Sequence, residues 1–190
     1  MTEIDLAGHT ARQSVIDAAL SELTTKPIAV FTLDGVALRA GVDVRAIRQV
    51  WPNARMLLTA ALDHFFDRHT PIPDTGTLHG DLLAYARSYG ALINSPLGQR
   101  ILNALMVTPR NWDLTDSRAT YLLDRHVKVS VLVKRACERG ECVVSTAPER
   151  LIDLLCAGLA YVVLAYGRAV TDDDCEVVVN TLLNGVTRIR

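Results

Sequence analysis

The sequence predicts an all-α protein of about nine helices: an N-terminal three-helix helix-turn-helix domain plus a C-terminal helical bundle, assembled as a homodimer. Three observations carry that expectation. Almost every apolar stretch repeats at three-to-four spacing, the period of a helix buried on one face. A glycine turn at Ala40-Gly41-Val42 joins two short helical segments. The stretch 154–166 is apolar on nearly every side, so a helix there needs cover on both faces, and a partner subunit supplies it simply.

Each element follows from local signals. Thr10 to Thr25 carries Val15, Ala18, Ala19 and Leu23 on one face and stops at Pro27. Leu33 to Arg39 and Val44 to Val50 are two short helices around the glycine turn. Asn53 caps a helix through His69, with Leu57, Leu58, Ala61, Leu62 and Phe65 inside. Pro71-Ile72-Pro73-Asp74-Thr75-Gly76 reads as a linker. Thr77 to Asn94 is one helix, and Ser95-Pro96 opens another to about Val107. Asp113 and Asp116 offer a capped start for a long helix to Glu138, ended by Arg139-Gly140. Thr146, Pro148 and Glu149 form a capping box for a helix to Arg168. Thr171 and Asp174 cap the last, which buries Val178, Leu182, Val186 and Ile189. Val127, Val129, Val131 and Val133 alternate as a strand does. Helix is preferred there because no turn signal interrupts 114–138.

Composition bounds the function. The chain has 190 residues, 20 Lys+Arg, 21 Asp+Glu, a formal net charge of −1 and 49% hydrophobic residues. Such a chain buries a sizeable core and is not disordered. Near-neutrality excludes a uniformly basic coat protein or an acidic tail protein, but leaves room for a local basic patch. Residues 1–5 show no secretory signal, and the 13 residues of 154–166 fall short of the ~18 that suggest a membrane span. Cys137, Cys142, Cys156 and Cys175 form no Cys-x-x-Cys pair and have no His at zinc-finger spacing. They read as small buried hydrophobes in a reducing cytosol, so a cytoplasmic protein without membrane contact is expected.

The informative segment is 31–51. Thr32 is a good N-cap, and Phe31 and Val36 flank it at hydrophobic-staple spacing. Ala37 is small where two helices cross, and Gly41 supplies positive φ for a tight turn. Asp43 caps the second helix, and Val42 and Ile47 pack it onto the first. This is the pattern of a helix-turn-helix. Ile47 and Val50 face inward, leaving Arg45, Ala46, Arg48 and Gln49 outward. Arg and Gln read guanine and adenine edges or hold phosphates. Between 39 and 55, four arginines (39, 45, 48 and 55) stand against one acid, Asp43, a local excess of +3.

Residues 10–65 resemble the N-terminal domain of the tetracycline-repressor (TetR) family of bacterial transcription regulators. The resemblance rests on Val15-Ile16-Asp17-Ala18-Ala19-Leu20, Thr32, Val36-Ala37, Arg39-Ala40-Gly41-Val42, Ile47, Trp51-Pro52 and Leu57-Leu58. It implies a DNA-binding domain over 1–53, with 53–69 as connector helix, and a ligand-binding and dimerisation bundle over 70–190. It implies a homodimeric repressor on double-stranded, palindromic operator DNA, with half-sites roughly 34–36 Å apart or a little more. Thr32 would meet a phosphate; Val44, Arg45, Ala46 and Gln49 would face base edges. Four positions depart from the family. Arg48 replaces a usual tyrosine, and Ala54 a phosphate-binding lysine that Arg48 or Arg55 would have to replace. Glu22 sits at an apolar position, and Pro27 where a glycine ends the first helix.

In the C-terminal half, the helix from Glu149 and the last helix are expected to form a four-helix interface with a second copy through Leu155, Leu159, Val162, Tyr166, Val178 and Leu182. Gly158 permits close approach there. The resemblance implies a small-molecule effector, mostly apolar, between the middle helices. Tyr85, Tyr89, Trp112 and Tyr121 would wall it, with Asn103, Arg125 and His126 as polar contacts. No cofactor or metal is expected. Asp172-Asp173-Asp174 opens a helix, where acids complement the dipole. His64, His69 and His79 form no ligand set, and no catalytic motif is present. The competing reading is a small-molecule-binding helical dimer that has lost specific DNA binding.

Overall fold

A computed structural model describes residues 9–26, 30–107, 115–141 and 147–185. Among these, ten α-helices and no strand occur: α1 His9–Thr25, α2 Leu33–Ala40, α3 Val44–Val50, α4 Ala54–His69, α5 Leu78–Asn94, α6 Pro96–Val107, α7 Thr115–Val129, α8 Val131–Glu138, α9 Pro148–Tyr166 and α10 Asp172–Gly185. Pro27, Trp112, Asp113, Cys142, Thr146, Val186 and Ile189 lie outside the described residues.

The tenth helix comes from Ser130. The stretch expected as one long helix is divided there, because the Ser130 hydroxyl donates to the Val127 carbonyl at 2.7 Å and competes with the helical ladder. Val129, Val133 and Ala136 are fully buried, while Leu123 is 55% exposed. The alternating valines are therefore helical on both sides of the break.

The other boundaries follow the caps. Thr32, Asn53, Thr77 and Ser95 each accept from a backbone N–H three residues on, at 2.9 to 3.1 Å. Thr171 and Asp174 cap reciprocally: the Asp174 N–H donates to the Thr171 hydroxyl, and the Thr171 N–H to the Asp174 carboxylate. Arg168 adds two bonds to that carboxylate, both 2.7 Å, and with the Thr171 N–H holds it well below the usual carboxylate range. The acid at the start of α10 is thus a cap. Gly167, at φ 64°, ends α9 two residues before Arg168 would have extended it.

The chain divides into two compact units, Met1–Arg68 with Asn103–Arg118, and His69–Leu102 with Ala119–Arg190. In the first, α2 packs on both α1 and α3. Its core includes Val15, Ala19, Val36, Ile47 and Leu57, all at 0% exposure. In the second, α5 packs on α8, α9 and α10, and α9 packs on α10. α4 belongs to the first unit up to Arg68.

Glu22 explains its own departure from the family pattern. It is only 2% exposed, yet charged partners surround it. Arg39 Nε donates to one carboxylate oxygen at 2.8 Å, and Lys26 Nζ to the other at 2.5 Å. Arg39 also reaches the Ser21 and Thr25 hydroxyls, at 3.2 and 3.0 Å. One guanidinium thereby ties α2 to a full turn of α1. A Cβ on Gly35 would lie 2.8 Å from the Glu22 carboxylate, so a larger residue there would push the Glu22 side chain from its present position.

Lys26 first, then Arg39, lowers the Glu22 pKa below its ordinary 4.5. A depressed carboxylate stabilises the fold fully above its unfolded pKa and loses that contribution as pH falls through the folded value. Glu22→Gln is expected to cost about 1–3 kcal/mol at pH 7, given its half-exposed partners. In urea titrations, the gap to wild type closes as the pH drops below about 4.

Candidate nucleic-acid interface

α3, the helix expected to read DNA, has seven residues held at three points. Gly41 turns the chain at φ 69°, a left-handed conformation that side chains with Cβ rarely adopt. The Val42 N–H donates to the Ala37 carbonyl at 3.1 Å, closing α2. The Asp43 carboxylate accepts from the Arg45 N–H at 2.8 Å and opens α3. Ile47 at 0% exposure anchors the buried side, with Ala37 at 5%. Arg45, Arg48 and Gln49 are exposed, while Val44 and Ala46 are partly covered. Thr32 is exposed; its oxygen accepts from the Gly35 N–H, leaving its own O–H to donate. Arg55 is exposed in the first turn of α4.

The local charge excess needs revision. Arg39 is held by Glu22 and its neighbours. Arg48 lies 3.7 Å from Asp34 on α2, both groups exposed. Of the four arginines counted between 39 and 55, Arg39 has a structural role and Arg48 has a nearby acid. The pairing of Arg39 with Glu22, 17 residues away, has no signal in helical spacing. The unusual acid at position 22 was the available clue.

In the second unit, Tyr85 (1% exposed) and Tyr89 (6%) stack on α5 with ring centroids 6.5 Å apart. Arg125 on α7 is buried and donates through Nη2 to the Thr70 carbonyl and hydroxyl, both at 2.9 Å. Arg125 and Thr70 act on the Tyr85 hydroxyl, each lowering its pKa against the larger effect of burial. Cys156 on α9 is buried, and Tyr85 acts on its thiol. His126 Nδ1 lies 2.5 Å from the Asp153 carboxylate. Burial pushes the hydroxyls of Tyr85 and Tyr89 up, and the Cys156 thiol up to about 12. Tyr85, Tyr89 and Arg125 thus belong to one buried region, and Tyr121 is buried one turn before Arg125. Asn103 is exposed and lies in the first unit. Thr70 and Cys156 join the buried region without having been expected.

Half of the expected dimer face is buried within its own unit. Leu155 and Leu159 are 0% exposed and Val162 is 7% exposed, all spent on the core of their own unit. Val178 is partly covered: a Cβ on Gly158 would meet it at 3.3 Å, so Gly158 serves approach between α9 and α10 of one chain. Tyr166 is open and Leu182 partly so. The exposed stripe of α9 is instead Leu154, Ala157, Tyr161 and Ala165, with Val177 and Thr181 on α10. Leu154, Tyr161 and Val177 are each more than half exposed. An all-apolar helix carries no phase in its sequence, which is why the offset was not legible.

Residues 72–182 match the family profile described as "Tetracyclin repressor-like, C-terminal domain". The HTH-type transcriptional regulator AqdR of Rhodococcus erythropolis is 27% identical over 159 residues, covering 84% of this chain and 76% of that one. The fold is that of the TetR family transcription regulator SCO0332, with a TM-score of 0.73, 24% identity, and 95% and 100% of the two chains covered. NalD of Pseudomonas aeruginosa, the secondary repressor of the MexAB-OprM multidrug efflux pump, aligns with a TM-score of 0.63 at 18% identity, over 94% and 97% of the chains. The chain belongs to the tetracycline-repressor-like family of DNA-binding transcription regulators, which are not enzymes. Among the described residues no helix is long and apolar enough to cross a membrane.

A thiol with a pKa of about 12 is almost wholly protonated at pH 8. Native Cys156 is expected to resist iodoacetamide at that pH and to label only on unfolding. Mass spectrometry of digested, alkylated protein checks this against Cys137, which is partly exposed.

Proposed function

We propose that this chain is a dimeric, cytoplasmic repressor that binds a palindromic operator and is released by a small, mostly apolar effector. The observation that carries the reading is the exposure of Arg45, Arg48 and Gln49 on a short helix whose opposite side, Ile47, is fully buried. Such a helix offers donors to base edges while its orientation is fixed from behind. Arg45, Gln49, Val44 and Ala46 face the bases in this reading. Thr32 donates to a phosphate, and Arg48 or Arg55 takes the contact usually made by lysine where this chain has Ala54. The dimer forms through Leu154, Tyr161 and Val177, whose apolar stripe a second copy covers by two-fold symmetry. The effector lies against Tyr85, Tyr89, Tyr121 and Arg125. DNA binding is kept from 1–53, the connector runs over 53–69, and 70–190 carries effector and partner.

A second reading, a ligand-binding dimer without specific DNA binding, is favoured by Ala54 and by the acids beside Arg39 and Arg48. Selection of duplexes from a random pool separates the two. Recovery of a palindrome supports the repressor, and failure to enrich any sequence supports the alternative.

Arg45→Ala and Arg48→Ala are each expected to weaken operator binding by roughly 1–3 kcal/mol, and retention of wild-type affinity by both in gel-shift titrations contradicts the assignment. For the dimer, Leu154→Asp with Tyr161→Asp should halve the mass measured by light scattering while circular dichroism stays helical. Leu155→Asp should instead unfold the C-terminal unit, because its side chain is in the core.

A further inference from the structure

α2 sets an acid against the exposed side of α3. Asp34 stands in the first turn of α2, just after the N-cap Thr32, and its carboxylate lies 3.7 Å from the Arg48 guanidinium. Both side chains are open to solvent, Asp34 at 71% and Arg48 at 54%. α2 and α3 pack on each other within the first unit, so the helix-turn-helix itself sets this contact. An acid in a first turn complements the helix dipole. This one also cancels the charge of an arginine on the neighbouring helix. Thr32 and Arg45 are exposed in the same two-helix segment.

Attraction to DNA of any sequence comes from net positive charge and from the counterions that phosphates release, whereas base edges are read by directed hydrogen bonds. At 3.7 Å the carboxylate acts on Arg48 well inside the screening length of about 8 Å at physiological salt. Arg48 then adds little to sequence-independent attraction. An exposed pair is nonetheless weak, so a well-placed bidentate contact draws the guanidinium away from it.

We propose that Asp34 is a specificity-determining residue: it masks Arg48 on non-specific DNA and yields it only to a duplex that offers Arg48 a fixed contact. This rests on the sequence-specific DNA reading proposed above. Masking lowers affinity for wrong sites more than for the right one, and specificity is the ratio of the two. The acid weakens total binding and sharpens it by the same interaction.

The test uses the full chain and two labelled duplexes, one of random sequence and one that wild type selects from a random pool, titrated by fluorescence anisotropy at several salt concentrations. Asp34→Asn is expected to tighten the random duplex about three- to tenfold and to steepen the log–log salt slope by about one per subunit. The selected duplex tightens less than about twofold, so discrimination falls. Asp34→Glu, which restores the charge, returns both affinities towards wild type. In an Arg48→Gln background, Asp34→Asn shifts random-duplex affinity by less than about twofold. Asp17→Asn, which removes an exposed charge from α1 of the same unit, leaves discrimination unchanged. An equal gain on both duplexes overturns the proposal. So does a random-duplex gain that persists without Arg48, one that Asp17→Asn reproduces, or no gain at all. If wild type selects no duplex, the operator reading fails instead, and the dependence of the random-duplex gain on Arg48 still decides whether Asp34 masks it.

Discussion

A helix of seven residues does not persist alone in water, because nucleation costs more than so few hydrogen bonds return. α3 is such a helix, so its shape and direction come from what holds it. Ile47 seats it, Gly41 sets the angle at which it leaves α2, and Asp43 closes its first turn. One residue faces in, and the helical period then places Arg45, Arg48 and Gln49 out. The exposed side of α3 is thus a consequence of a packing constraint on its reverse side.

The same unit shows how charge is divided between architecture and recognition. A buried carboxylate is costly unless it is paired and hydrogen-bonded. Glu22 meets that condition through Lys26 and Arg39, and the pair replaces the apolar contact usual between the first two helices. Arg39 then contributes little field to a nucleic acid. The positive surface is narrower than the count of arginines suggests, and it centres on α3. The second unit repeats the principle with Arg125, Arg139 and Arg168, each tied to oxygen acceptors that place a loop or a helix start.

α9 gives the C-terminal unit its two-sided character. Its inner side carries Ile152, Leu155 and Leu159 at 0% exposure, a core packed from α5 and α10. Its outer side leaves Leu154 and Tyr161 more than half exposed. Gly158 and Val178 hold α9 and α10 close within one chain, so the two helices offer a single shared face.

Sequence by itself determined the helical class, most helix boundaries, the glycine turn and the outward side of α3. These depend on caps, period and the φ of glycine, all local quantities. Capping residues such as Thr32, Asn53 and Thr77 act within three residues of themselves, so they are legible without any tertiary contact. Tertiary structure alone decided the rest. Glu22 finds Arg39 across 17 positions, and Arg125 finds Thr70 across 55. Ser130 divides a helix that its neighbours' periodicity would have continued. Leu154 rather than Leu155 is open, because every side of α9 is apolar and only the packing of α5 and α10 selects which side is covered. Local chemistry decides conformation, whereas partner choice among similar side chains depends on which of them the folded chain brings together.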